Sequence, residues 1–240
     1  SMFPMTLLEK ARDKDLILLD KAEQLFDDDG ESQGVFGQHF IGWDPAIASD
    51  SNADYTAMSL LRILPDSEEK QLIYMLNQKG LGGAAQKRQI ILLNSRFRPD
   101  LIELEGNNFQ RMFAAELKEM RDDIPIKTFM TTRQKKESMF MSLLMAFEQG
   151  KIKTPWGNEK SKEFTRTLET QLSRFGMQKN GRLESVGSHD DLAMSLALSN
   201  WATKEFRGNI VMLDDYLDGF DKWFGDVPQN NVAGVDWFVA

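Results

Sequence analysis

The strongest chemical signal in this 240-residue chain comes from acids: Asp44, Glu105 and the adjacent pair Asp190-Asp191. Asp44 closes a short apolar run, His39-Phe40-Ile41-Gly42-Trp43, which reads as a buried strand stopped by Pro45. Glu105 closes a second, Asp100-Leu101-Ile102-Glu103-Leu104, which runs into Gly106-Asn107-Asn108. Asp190 and Asp191 follow a Gly187-Ser188 turn and open an apolar helical stretch, Leu192-Ala193-Met194. Acids on two strand ends and one helix start can converge over one edge of a sheet. Carboxylates held that close repel each other unless a divalent cation lies between them. The chemistry implied is metal-dependent and directed at phosphates.

Within that set some assignments stay open. Glu103 shares a strand face with Glu105, and either could reach the edge. Either Asp190 or Asp191 can serve as a helix-start acid favoured by the dipole, leaving the other as a ligand. His189 adjoins the pair as an accessory able to orient a water or a phosphate. His39, the only other histidine, reads as a strand residue with a satisfied hydrogen bond.

The elements that must position these residues can be read from periodicity. Leu7, Leu8, Ala11, Leu16, Leu18, Leu19, Ala22, Leu25 and Phe26 fit one amphipathic helix over 6–26, ended by Asp27-Asp28-Asp29-Gly30. Tyr55 to Leu64 pairs with the first strand as a hairpin across a polar loop from Pro45 to Asp54. A helix over 84–97 is stopped by Pro99. After Glu105 come a helix over 109–120, a strand over 126–130 and a helix over 135–149 that ends at Gly150. Met139, Met141 and Met145 on that helix read as core. A short extended piece over 152–154, a helix over 158–175 and a hairpin turned by Asn180-Gly181 follow. A helix over 190–204 closes the core. Gly80-Leu81-Gly82-Gly83 reads as a flexible connection. Trp223, Phe224, Trp237 and Phe238 pack back on the domain or dock a partner, and 227–240 reads as a tail.

Composition sets limits. No apolar run approaches the length of a membrane span, and no leader pattern opens the chain. With no cysteine, disulfides and thiolate metal sites are excluded. Ser1-Met2 reads as an appended start, so the chain is expected to be an excised domain. A formal charge of −8 argues against a generic nucleic-acid binder, but Arg133 to Arg182 alone carries +6. A basic middle between acidic ends can present one DNA-facing surface or simply a solvated helix face.

The motifs together resemble a known family. They are Gly42-Trp43-Asp44-Pro45-Ala46 with Asp54-Tyr55-Thr56-Ala57, Ile102-Glu103-Leu104-Glu105-Gly106-Asn107-Asn108, and Ser188-His189-Asp190-Asp191-Leu192-Ala193-Met194. Thr131-Thr132-Arg133-Gln134-Lys135-Lys136 and Ile152 to Pro155 match intervening pieces. This order and spacing, over about residues 40–202, resembles the nuclease domain of the large terminase subunits of tailed bacteriophages and herpesviruses. The resemblance implies an α/β, RNase H-like mixed central sheet flanked by helices, here with an N-terminal helical appendage. The expected division is 1–33 helical segment, 34–226 nuclease domain and 227–240 tail.

The resemblance further implies a two-metal endonuclease that cuts double-stranded concatemeric viral DNA during genome packaging. Asp44, Glu105 and Asp191 would be catalytic and would hold two Mg²⁺ or Mn²⁺ ions with Asp190, and Asp54, or Asp50 in its place, would be accessory. Lys135, Lys136, Lys151, Lys153 and Arg182 are candidate DNA-backbone contacts. Implied partners are the packaging ATPase domain, the portal and the small terminase subunit, with no membrane; implied localisation is the host-cell cytoplasm, transiently on the procapsid. No G-x-x-x-x-G-K-[ST] run exists, so ATP hydrolysis is not expected. Other readings are a resolvase- or transposase-type RNase H-like nuclease and a non-catalytic DNA-docking domain regulating the motor.

Overall fold

The structure, a computed structural model, describes residues 1–26, 29–46, 55–106, 108–177, 183–186 and 189–206. One compact unit spans Ser1–Lys204. In chain order its elements are α1 (Met5–Lys10), β1 (Arg12–Asp13), β2 (Gln24–Phe26), β3 (Ser32–Val35), β4 (Gln38–Asp44), β5 (Tyr55–Ile63) and β6 (Lys70–Lys79). Then come α2 (Gly83–Phe97), β7 (Leu101–Gly106), α3 (Asn108–Met120), β8 (Ile126–Met130), α4 (Arg133–Glu148) and β9 (Ile152–Pro155). Last are α5 (Glu159–Ser173), β10 (Phe175–Met177), β11 (Leu183–Ser185) and a final helix, α6, over 191–206.

Seven strands form one mixed sheet in the order β1-β9-β6-β5-β4-β7-β8. The β4–β5 and β5–β6 pairs are antiparallel, while β4–β7, β7–β8, β6–β9 and β1–β9 are parallel. This is the α/β mixed central sheet flanked by helices that the resemblance implies. Alternation along the strands divides the interior into two cores. Ile41, Trp43, Met58, Leu60, Ile102 and Leu104 pack with Ile90, Leu93 and Phe97 of α2 and Leu117 of α3. Ala57, Leu61, Leu72 and Phe129 pack on the other face with α1, α4, α5 and α6. Among the described residues no helix is long and apolar enough to cross a membrane.

Two expectations about elements are corrected. The helix read over 6–26 ends at Lys10, and Arg12–Asp13 instead pairs in parallel with Thr154–Pro155. The leucines beyond it do not share one helical stripe. Leu16 and Leu19 enter the core under α2, whereas Leu18 enters the core under α4 and α5. Their backbone is satisfied by tertiary bonds: Leu19 N–H donates to Ile73 O at 2.7 Å and Leu18 N–H to Ser161 Oγ at 3.0 Å. The second concerns the α4 methionines: Met139 is buried, but Met141 and Met145 are 49% and 52% exposed. One central strand, β6, was not revealed by the periodicity at all. Its register passes from Leu61↔Leu72 to Leu60↔Tyr74, so Ile73 is an extra residue, and this bulge breaks the two-residue alternation.

α6 lies unusually close to β4. A Cβ on Gly42 would collide with Ser195 O, Ser199 N and Leu198 Cβ. The helix is held there by Ser59 Oγ and Ser195 Oγ at 2.7 Å, and by Lys70 Nζ donating to Asn200 Oδ1 at 2.7 Å. Gln171 Oε1 accepts from Ala193 N–H at 3.1 Å. Gly42→Ala is therefore expected to cost about 2–3 kcal/mol, because the clash is with helix backbone that cannot rotate away. Urea unfolding of parent and variant measures it.

His39 differs from its expectation. Its ring is fully buried against Phe97 (5.8 Å between centroids), and neither ring nitrogen has a hydrogen-bond partner among the described residues. Burial, and secondarily the Arg62 guanidinium, lowers its pKa to about 4. The unfolded chain thus binds a proton that the folded one refuses, and stability falls as pH drops from about 6.5 to about 4. His39→Leu should lose up to about 3 kcal/mol less than the parent across that window. Chemical denaturation at pH 7 and pH 4.5 checks the difference.

Candidate active site

The strand polarity brings the acids to one end of the sheet. β4 and β7 are parallel with Gly42 level with Glu103 and Trp43 with Leu104, so the next residues lie side by side, Asp44 as the last of β4 and Glu105 as the last but one of β7. Because Trp43 and Leu104 face α2 and α3, Asp44 and Glu105 face α6. The Gly42 contact sets the height of that helix. Asp44 lies two residues beyond Gly42, and Asp191 lies one helical turn before Ser195, so the contact brings helix start and strand end together.

The electrostatics register the convergence. Asp44, part-buried, has its pKa raised well above the usual carboxylate range by desolvation, then by the charge of Glu105, a side-chain hydrogen bond with Glu105, and the charges of Asp191 and Asp190. Asp191 acts on Asp44 more strongly than Asp190 does. Asp191 is 9% exposed at the first turn of α6. Asp190 precedes the helix, its carbonyl accepts from Met194 N–H at 2.8 Å, and its Oδ2 lies 3.5 Å from Lys136 Nζ.

Two neighbours orient the cluster. Thr131 Oγ1 donates to Glu105 Oε1 at 3.0 Å. His189 stands edge-on to Tyr55, with ring centroids 4.9 Å apart, and its Nδ1 lies 3.8 Å from Asp191 Oδ2. Thr131 was visible in the sequence only as part of a matched segment; its role follows from β8 ending level with β7, Gly106 pairing with Met130.

Among the described residues no three acidic or histidine side chains converge as the ligands of one ion would. The donor set nevertheless suits a hard divalent cation, being carboxylate oxygens throughout. Burial is the larger cause of the raised proton affinity of Asp44, and the charges of Glu105, Asp191 and Asp190, the smaller one, would also attract such a cation.

The basic residues separate. Lys135 and Lys136, in the first turn of α4, share the acid end, because β8 runs parallel to β7 and α4 follows it directly. Lys151 and Lys153 lie at the opposite end: Ile152 pairs with Lys70, which pairs with Ile63, which pairs with Gln38 at the start of β4. Both are engaged by acids, Lys151 with Glu68 at 2.6 Å and Lys153 with Glu69 at 3.7 Å. Glu103 is fully buried, two residues before the edge, and Glu105 holds the edge position. Asp50, Asp54, Arg182 and the 227–240 tail lie outside the described residues.

Comparison with known proteins agrees with this fold. The chain belongs to the terminase RNaseH-like domain family, whose model matches residues 41–200. Its fold is similar to the large terminase nuclease of thermophilic phage G20c with bound magnesium (TM-score 0.57, 19% identity, covering 83% of this chain and 96% of that one). It is also similar to a variant nuclease domain of the large terminase subunit gp2 of bacterial virus Sf6 with manganese and beta-thujaplicinol (TM-score 0.56, 12% identity, 83% and 98%). Against the HK97 bacteriophage large terminase the TM-score is 0.54 at 10% identity, covering 83% of this chain and 43% of that one. A comparison with curated protein sequences gives no match.

The raised pKa of Asp44 makes a stability prediction with a definite sign. Its folded pKa exceeds the unfolded value of 3.8, so its contribution is fully present below that pH and is lost as pH rises through the folded value. In chelator, Asp44→Asn should match the parent near pH 4 and melt higher than it at pH 8. Calorimetry at both pH values in EDTA checks this; a variant that melts lower at pH 8 would mark Asp44 as one partner of a structural ion pair.

Proposed function

We propose that this domain is a divalent-metal-dependent endonuclease that cuts double-stranded DNA during viral genome packaging. The observation that carries the reading is geometric: Asp44 and Glu105 lie side by side on parallel strands and face the start of α6, which carries Asp191, in a terminase RNaseH-like domain. Asp44, Glu105 and Asp191 would hold two Mg²⁺ or Mn²⁺ ions, with Asp190 beside them and Asp54 as accessory. Divalent ions at such a site neutralise a phosphodiester and lower the pKa of attacking water.

The chain's own groups have defined tasks. Asp44 would offer its carboxylate oxygens to a cation, which competes with protons for them. The Thr131 hydroxyl fixes the rotation of Glu105 by donating to Oε1. Lys136 balances Asp190 when no cation does. Tyr55 limits the swing of the His189 ring and keeps Nδ1 toward Asp191, from where it can orient water. DNA would lie across the acid end against Lys135 and Lys136. Lys151 and Lys153, at the other end and ion-paired, are left out of that contact. The implied partners are duplex DNA and the rest of the packaging machinery, including an ATPase domain, portal and small subunit.

Digestion of supercoiled plasmid in millimolar Mn²⁺ tests the reading. Parent should nick and linearise it and EDTA should stop it, while Asp44→Asn, Glu105→Gln and Asp191→Asn should each lose about a hundredfold or more. Thr131→Val should lose about tenfold, as expected for a residue acting through a ligand. Plasmid left intact by parent at every concentration contradicts the proposal. For the DNA surface, Lys135→Gln should weaken duplex binding and flatten the log–log salt slope by about one, whereas Lys151→Gln and Lys153→Gln should leave the slope unchanged. Fluorescence anisotropy from low to moderate salt reads both.

A further inference from the structure

Gln86, on α2, belongs to none of the acidic motifs, yet its side chain is committed to the chain leaving Asp44. It is fully buried, and its Nε2 donates to Ala46 O at 2.9 Å and to Leu81 O at 2.7 Å. Both amide hydrogens are thereby used on two loops, one leaving β4 and one entering α2. The other half of the amide, Oε1, is buried with no hydrogen-bond partner among the described residues. An unpartnered buried acceptor is unfavourable and calls for an explanation. A side chain kept only for packing would have no reason to carry it.

The strand end shows why such a clamp is needed. Pro45 has no N–H, so the β-ladder cannot continue past Asp44. The next backbone groups are both taken by side chains: Ala46 N–H donates to the buried Thr56 Oγ1 at 3.2 Å, and Ala46 O accepts from Gln86. Asp44 meanwhile is the last residue of β4, beside Glu105 on β7 and facing the start of α6. A carboxylate at the last residue of a strand keeps its place only if the backbone beyond it is anchored.

We infer that Gln86, with Thr56 opposite, is the positioning residue for Asp44, pinning Ala46 so that the carboxylate stays aimed at its neighbours. The inference rests on the metal-nuclease reading only for its consequence, that cation affinity depends on Gln86. The anchor itself is a property of the metal-free chain.

The experiment uses the full chain as parent, Gln86→Leu and Gln86→Glu, with Thr56→Val as the variant that attacks the same anchor from β5. Amide hydrogen exchange in EDTA is followed by mass spectrometry on peptides covering 42–46 and, for comparison, 58–62. The melting-temperature rise on Mn²⁺ titration is measured on each protein, and again with Asp44→Asn added. Expected in Gln86→Leu is exchange faster by about tenfold per hydrogen bond lost, at 42–46 and around Leu81 but not at 58–62. The Mn²⁺ concentration for half the stabilisation should rise severalfold, and this shift should vanish in the Asp44→Asn background. Gln86→Glu, which keeps the size but lacks the two donors, should follow Gln86→Leu.

Unchanged exchange at 42–46 in both the Gln86 and Thr56 variants overturns the inference. So does faster exchange with an unmoved Mn²⁺ midpoint in a parent that responds to Mn²⁺, since Gln86 would then only support the fold. If the parent shows no Mn²⁺ response while exchange rises as expected, the anchor stands and the metal reading under Proposed function is what fails.

Discussion

Mutual repulsion among the carboxylates at the acid end is the constraint to which the rest of the fold answers. Asp44, Glu105, Asp190 and Asp191 come from two strand ends and one helix start, and no local preference would bring them together. Asp44 takes on a proton more readily as a consequence, its pKa raised by burial and by its acidic neighbours. A fold that maintains such a cluster spends stability on it, and that stability must come from elsewhere. Here it comes from two packed cores on either side of a seven-stranded sheet.

Close packing converts that general stability into position. Gly42 allows the backbone of α6 to approach β4, Ser59 meets Ser195, and Lys70 reaches Asn200. These contacts fix the helix along the strand, and Asp191 is set relative to Asp44 as a result. Substitution there would move the helix start and the acids with it. On the β7 side, Thr131 holds Glu105 through one hydrogen bond, and β8 brings α4 and its lysines to the same end. Rigid elements therefore carry the functional groups.

How much of this was legible in the sequence follows from how local each signal is. Asp44 before Pro45 and Glu105 before Gly106 were readable as strand ends because a stop residue follows each apolar run, and the family's motif order joined them. The helices over 83–97 and 133–148 showed their periods and their stops at Pro99 and Gly150. β6 was hidden by the bulge at Ile73, which removes the alternation a strand is recognised by. The leucines from Leu16 to Leu19 fit a helical spacing but serve two cores on opposite faces of the sheet, and only the tertiary structure decides between these outcomes. Charge alone placed Lys151 and Lys153 with Lys135 and Lys136. Strand direction separates them, because β9 starts at the end where β4 starts. Gln86 gave no signal, since a glutamine within a helix is ordinary until its two acceptors are known.

The central claim is that these carboxylates act together in holding divalent cations, and isothermal titration calorimetry of Mn²⁺ into the EDTA-stripped chain tests it most directly. Runs at one slightly acidic pH in two buffers of different ionisation enthalpy separate binding heat from proton release. Saturable binding with release of up to about one proton, both lost in Asp44→Asn and weakened in Glu105→Gln and Asp191→Asn, is the predicted result. No binding, or binding that none of the three substitutions alters, would contradict it.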